Sequence, residues 1–451
     1  MGKMLFFLLA STSMLAGIVQ AEPIHLNNQQ SNYLAKPSGD YAVGFQDFRL
    51  VNGVINAEGA YECPGKTDSL YFPGINESSF GKDNQINFCR EIMVRVYYPT
   101  QKERSPSFEN YYLPAINDLQ NTIRQEKNPK ISEQNIKALT RLTTYTVKKS
   151  DLLDNKFPVL LFNPGSGDEA EEYENTIDDL VSHGYIVMGI NNTFISSSVL
   201  FPDGRIVTRT TSASLPVKDQ SVLDNILIAR FALNHASTYF PMPLVNAMDL
   251  NHIGLFGHSM GGISVVAVGK NYPNLFQAAA SEDAPPVSFG TRTYDPAAMQ
   301  GFKSLPFLRL YAAEWRTLAG IITPPDAQFK LYPNNYYALL NSNENSPPPY
   351  YTDHANFTDH STLQYQPTIS KYLSALPPST SFDIGTADGW HVTRLINAYL
   401  LQFFDQYLKN KPSHALKKCQ PIVRDKIIGD TMLHCGERPS QSFSRDYQAS
   451  K

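Results

Sequence analysis

The feature that most constrains this chain is a serine held between two glycines, Gly257-His258-Ser259-Met260-Gly261, where an apolar alternation at 252–256 gives way to a helix-compatible stretch. A serine on so sharp a strand-to-helix turn projects its hydroxyl outward, and the absence of a Cβ on either side lets neighbouring backbone come close. Such a turn needs a strand before it and a helix after it, and the wider sequence repeats that alternation. Pro158-Val159-Leu160-Leu161-Phe162 and Tyr185-Ile186-Val187-Met188-Gly189-Ile190 are apolar runs of strand length. The stretch 173–183 is amphipathic, 217–234 reads as a helix, further strands are expected at 276–280 and 307–312, and 392–408 forms an apolar-faced helix. Strand and helix in turn predict a mostly parallel central sheet covered on both faces, an α/β fold. Pro347-Pro348-Pro349 requires a loop in the region between the last strand and the last helix.

Around this core the chain changes character. Residues 22–98 carry short apolar alternations and turn residues, ending in Ile92-Met93-Val94-Arg95-Val96-Tyr97-Tyr98-Pro99, and read as an N-terminal β meander. Residues 100–150 are polar and helix-compatible without a run long enough for a core strand, an insertion expected to be helical and placed to act as a lid. Lys3 followed by the apolar run 4–18 and Val19-Gln20-Ala21 has the layout of a secretory signal peptide, 1–21, so a secreted or periplasmic protein is expected. No later stretch approaches the roughly 20 apolar residues of a bilayer span. Residues 22–412 are read as a single catalytic domain and 413–451 as a tail. Cys63 with Cys89 and Cys419 with Cys435 flank the central region. In an exported chain these local pairs are the expected disulfides among three possible connectivities, with free buried thiols as the alternative. With 38 basic against 42 acidic residues and no basic block, nucleic acid is a poor candidate partner.

The glycine-flanked serine is a nucleophile elbow in its required context, which makes the expected fold that of the α/β-hydrolases and Ser259 the candidate nucleophile. The helix beginning there favours negative charge at its N-terminus, and the Met260 N–H is a candidate oxyanion donor. A second donor is expected from Asn163-Pro164-Gly165-Ser166-Gly167 at the end of the first strong strand, with the Ser166 N–H as the candidate. A serine needs a base and the base needs an acid, both downstream in this fold. Asp283 and Glu314 follow expected strands, and His354, His360 and His391 are available histidines. Spacing alone leaves these alternatives open. No metal or organic cofactor is required by such chemistry.

In the same order along the chain, these segments resemble the platelet-activating factor acetylhydrolases of the plasma and intracellular type, over about 92–408. Val94-Arg95-Val96-Tyr97-Tyr98-Pro99 is similar to the family's early strand, and Phe157-Pro158-Val159-Leu160-Leu161-Phe162 with Gly165 and Gly167 to its oxyanion loop. Asp179-Leu180-Val181-Ser182-His183-Gly184-Tyr185-Ile186-Val187 is similar to the next helix and strand, and Gly257-His258-Ser259-Met260-Gly261-Gly262 to the elbow. The resemblance implies Asp283 as the acid and His354, in His354-Ala355-Asn356-Phe357-Thr358-Asp359, as the base, with His183 and His258 in local packing or hydrogen bonding. It also implies hydrolysis of short or oxidised sn-2 acyl groups of phospholipids, with Tyr350 and Tyr351 available for transient contact with a lipid surface. Pro164, where the family tends to have a histidine, and Pro285, where an aromatic often follows the acid, depart from it. The competing expectations are a general carboxylesterase, lipase or cutinase-like polyester hydrolase, and a non-catalytic binding protein on the same scaffold.

Overall fold

Every residue of Phe157–Asn163 is buried, and the alternation of its side chains divides the interior in two. Leu160 and Phe162 enter one cluster and Val159 and Leu161 another, because successive side chains of a strand face opposite sides of its sheet. Each large apolar side chain so buried contributes about 1.5–3 kcal/mol relative to exposure. The computed structural model describes residues 33–51, 90–101, 131–210, 214–285, 301–312, 332–340, 352–374, 387–419 and 432–435, with short pieces within 54–62, 116–125, 287–293 and 384–385. All lie in one compact unit, Asn32–Lys451.

The main sheet contains β1 (Ala42–Val51), β2 (Glu91–Thr100), β3 (Thr146–Lys148), β4 (Phe157–Asn163), β5 (Ile186–Asn191), β6 (Met248–His258), β7 (Ala278–Glu282), β8 (Phe307–Tyr311), β9 (Asn335–Leu339) and β10 (Met432–Cys435). Their spatial order is β10-β9-β8-β7-β6-β4-β5-β2-β1-β3. From β5 through β4, β6, β7 and β8 to β9 the pairing is parallel, while β2, β1 and β10 join antiparallel. This large, mostly parallel sheet with flanking helices is the architecture expected from the sequence.

Helices close both faces. On one side lie α2 (Glu174–Ser182), with Ile177, Leu180 and Val181 inward, and α5 (Gly389–Leu408), with Val392, Leu395, Ile396, Tyr399, Leu400, Phe403 and Phe404 buried. On the other lie α3 (Leu215–Asn234) and α4 (Ser259–Asn271). After β4 the chain crosses to β5 on one side, and the strand on the other side of β4 is β6. A crevice therefore forms outside the carboxyl ends of β4 and β6, the place where open α/β sheets bind ligands.

Two segments set apart from the core in sequence join its sheet. The insertion contains β3, which pairs parallel with β1 at Val43–Thr146, Gly44–Val147 and Phe45–Lys148. A three-residue edge strand has too little periodicity to be seen in sequence. The helical part of the insertion is α1 (Glu133–Ala138), capped by Ser132, and Ile131, Ile136, Leu139 and Leu142 pack on Leu363, Ile369 and Tyr372 of the segment after His354. Second, the stretch read as a tail returns to the sheet as β10, antiparallel to β9, and Cys419 and Cys435 are joined in a disulfide. The signal-peptide segment, Cys63, Cys89, Glu314, Pro347-Pro348-Pro349, Tyr350 and Tyr351 lie outside the described residues. Among the described residues no helix is long and apolar enough to cross a membrane.

Candidate active site

The serine turn follows from how closely β6, α4 and the loop after β4 approach one another. A Cβ on Gly261 would lie 2.1 Å from the Asn163 carbonyl oxygen and 2.6 Å from that of Pro164, and one on Gly257 would lie 2.7 Å from the Asn163 oxygen. Only glycine leaves room for this contact, and the contact presses α4 against the candidate oxyanion loop. Ser259 opens α4 with φ 53°, a left-handed conformation that non-glycine residues seldom adopt and that is stored at functional turns. The half-buried Ser259 thus stands at a helix N-terminus, where free backbone N–H groups and the helix dipole favour negative charge. Met260, next to it, is buried against Ile195 and Val222.

Asp283 follows β7 directly, also in a left-handed conformation, φ 45°. Its carboxylate is wholly buried, and each oxygen has one donor. Oδ1 accepts the Ala312 N–H at 2.7 Å, and Oδ2 is 2.5 Å from Nδ1 of His354. His354 begins a 3₁₀ turn, His354–Phe357, whose cap Asp353 accepts the His354 N–H at 2.7 Å. Asp359 then accepts the N–H groups of Glu174 and Asn175 at 2.9 and 2.8 Å, which ties the histidine loop to the start of α2. The His354 ring lies 4.4 Å from that of His258, the residue preceding Ser259. The fold therefore brings Asp283 and His354 to the serine turn. Burial lowers the His354 pKa, but the hydrogen bond and charge of Asp283, with Asp168 and Asp353, outweigh it and hold the pKa above the ordinary 6.5.

The loop after β4 is fixed by buried polar contacts. The Asn192 side chain donates to Asn163 at 2.8 Å and accepts from Asn225 at 2.9 Å, joining the ends of β4 and β5 to α3. The Gly165 N–H donates to the Tyr173 hydroxyl at 3.1 Å, and the Gly167 N–H to the Ile195 carbonyl at 3.1 Å. Ser166, between them, accepts through Oγ from the Arg209 guanidinium at 3.0 Å. Sequence reasoning missed Tyr173, Asp168 and the asparagine chain, because their partners come from distant segments.

The remaining histidines stand elsewhere. His391 lies in the first turn of α5 beside Asp388 at 3.2 Å, and His360 faces Glu172 at 3.7 Å, its pKa lowered by burial. His183 meets Ser38 Oγ at 2.9 Å. His258, Asp283 and His354 are the one potential metal-ligating set among the described residues, with ligand atoms within 4.8 Å of one another. Nδ1 of His354 is held by Asp283 and Nδ1 of His258 by Tyr173, so the set is already organised as hydrogen-bonded pairs. Chemically, a carboxylate-oriented imidazole beside a strained serine at a helix N-terminus can take the hydroxyl proton and shelter an oxyanion, the requirements of acyl transfer.

Sheet order, elbow and helical layers together are those of the α/β-hydrolase fold. The family model for platelet-activating factor acetylhydrolase, isoform II, matches residues 27–200, from the N-terminal strands through the loop after β4 and short of the elbow. A solved structure of a ferulic acid esterase from Streptomyces cinnamoneus superposes with TM-score 0.59 at 20% identity, over 90% of this chain and 99% of that one. No curated protein sequence matches the chain. The family match covers 174 of the 451 residues, and the superposition shows the shared fold.

Proposed function

We propose that the protein is an exported serine esterase that releases short or oxidised sn-2 acyl groups from phospholipids through an acyl-enzyme. In this reading Ser259 attacks the ester carbonyl, His354 takes its proton and returns it to the leaving alcohol, and Asp283 holds the imidazole with Nε2 facing the serine. The N–H groups of Ser166 and Met260 receive the oxyanion, and water then attacks the acyl-enzyme with His354 as base. The observation that carries the reading is the Asp283–His354 hydrogen bond at 2.5 Å, together with the left-handed φ of 53° at Ser259 and the His354 ring 4.4 Å from that of the preceding His258. The acetylhydrolase family match over 27–200 supports the phospholipid substrate, and the apolar run before Ala21 supports export.

The test is hydrolysis of an sn-2 acetyl phospholipid beside a p-nitrophenyl acyl series and methyl ferulate, with Ser259→Ala as blank. Turnover of the acetyl lipid that falls by about 10³-fold or more in the variant is the expected result. Turnover of simple esters or the ferulate without the lipid would keep the nucleophile and replace the substrate. Silence on all of them, with no labelling of Ser259 by a fluorophosphonate, would overturn the enzymatic reading in favour of a binding protein.

A further inference from the structure

Tyr173 places one hydroxyl at the meeting point of three groups. It lies 3.1 Å from the Gly165 N–H, 2.6 Å from Asp168 Oδ2 and 2.8 Å from His258 Nδ1, and its ring is buried against Phe162 at 4.7 Å. The donors can be counted. The Gly165 N–H can only donate and the Asp168 carboxylate can only accept, so the one phenolic proton goes to Asp168. The phenol oxygen then accepts from Gly165 and from His258, which fixes His258 as the Nδ1–H tautomer. Burial, with the charge of His354 behind it, keeps His258 well below the ordinary histidine pKa and hence neutral.

The opposite nitrogen of that ring, Nε2, is buried, and the His354 backbone pulls the His258 pKa upward against burial. His258 is packed between working parts. Its ring stacks on Phe357 at 5.9 Å with 14° between planes and lies 4.4 Å from His354.

We infer that Tyr173 is a positioning residue that sets the base against the oxyanion loop, acting on the loop through Gly165 and on His354 through the neutral ring of His258. The inference rests on the acyl-enzyme reading above. Gly165 immediately precedes Ser166, whose N–H is the proposed oxyanion donor. One hydroxyl therefore governs the spacing of two groups that must converge only when the tetrahedral intermediate forms. Glycine at 165 belongs to the same device, since a Cβ there would meet Asp168 Oδ2 at 2.5 Å, Tyr173 Oη at 3.2 Å and His258 Nδ1 at 3.3 Å. Disturbing this spacing acts on the transition state more than on substrate binding.

The experiment compares Tyr173→Phe, His258→Asn and His258→Leu with the wild type on p-nitrophenyl acetate, with melting temperatures recorded. Tyr173→Phe is expected to lower kcat by about 10- to 100-fold with KM within about twofold. His258→Asn, whose amide can donate from the place of Nδ1, is expected to retain about tenfold more kcat than His258→Leu. Folded Tyr173→Phe with kcat within about twofold of wild type, or a loss carried by KM, overturns the inference. If Tyr173→Phe does not fold, equal kcat values for the two His258 variants overturn it instead. A wild-type protein that neither turns over the ester nor is labelled at Ser259 overturns the acyl-enzyme reading itself, a result distinct from all of these.

Discussion

At the scale of single residues, the site rests on how burial and charge compete at each ionisable group. His354 is a half-buried imidazole whose protonated form would ordinarily be penalised, yet Asp283 supplies enough opposing charge to keep its pKa above 6.5. A base must be neutral to accept a proton, so activity is expected to fall on the acid side of that raised pKa. In a pH profile of kcat/KM, the acid limb should therefore stand above 6.5. Asp283→Asn removes both the largest upward influence and the acceptor that orients Nδ1. The limb should move to lower pH and kcat should drop by about 10³-fold or more. An unchanged limb in that variant would show that Asp283 does not orient the base.

Elements matter through their ends. The candidate residues Ser166, Ser259 and Asp283 sit beyond the carboxyl ends of β4, β6 and β7, where the chain leaves the sheet, and their precision depends on how tightly those exits pack. The elbow is the tightest, with Gly261 pressed against the carbonyl groups of Asn163 and Pro164. Gly261→Ala must push backbone apart, since neither neighbour is a flexible side chain. It is expected to destabilise the protein by about 1–3 kcal/mol and to impair turnover by moving the proposed oxyanion loop. Thermal unfolding and kcat on one preparation check both, and a stable, fully active variant would mean the contact is slack. The elbow was legible in the sequence because its glycines and serine are adjacent. The histidine loop was not, because its hold on α2 comes from Asp359, 184 residues from Asn175.

Across the whole molecule, the interior carries acids that a purely apolar core would lack. Glu282 is buried at the end of β7, its Oε1 without a hydrogen-bond partner among the described residues, and burial with Asp283 beside it pushes its pKa up to about 8. Glu174 is raised to about 8 as well, first by burial and against the pull of Arg95, and Glu169 to about 7. The sign follows from linkage. Between the ordinary 4.5 and about 8 the folded chain keeps a proton at Glu282 that the unfolded chain has released, so stability falls as pH rises through that window and levels off above it. Glu282→Gln removes the titration. The variant should lose less stability than the wild type between pH 5 and pH 9, by an amount on the order of a few kcal/mol. Equal pH dependence in denaturant unfolding would show that Glu282 does not contribute to it.

What the sequence determined by itself was what is encoded locally: the parallel α/β class, through alternating apolar runs and amphipathic stretches, and the serine turn, through glycines placed beside it. Helix and strand periods are read within one element, so the positions of β4, β5 and β6 and of the helices between them were available without coordinates. Spacing left the partners of the serine open, and resemblance to a family preferred Asp283 and His354. Only the tertiary structure placed those two in contact, across 71 residues. It alone decided that 146–148 and 432–435 extend the sheet, since edge strands this short are stabilised by the neighbour they join. It also decided that the hydroxyl of Tyr173 serves three partners from three elements, a relation that no pattern along the chain records.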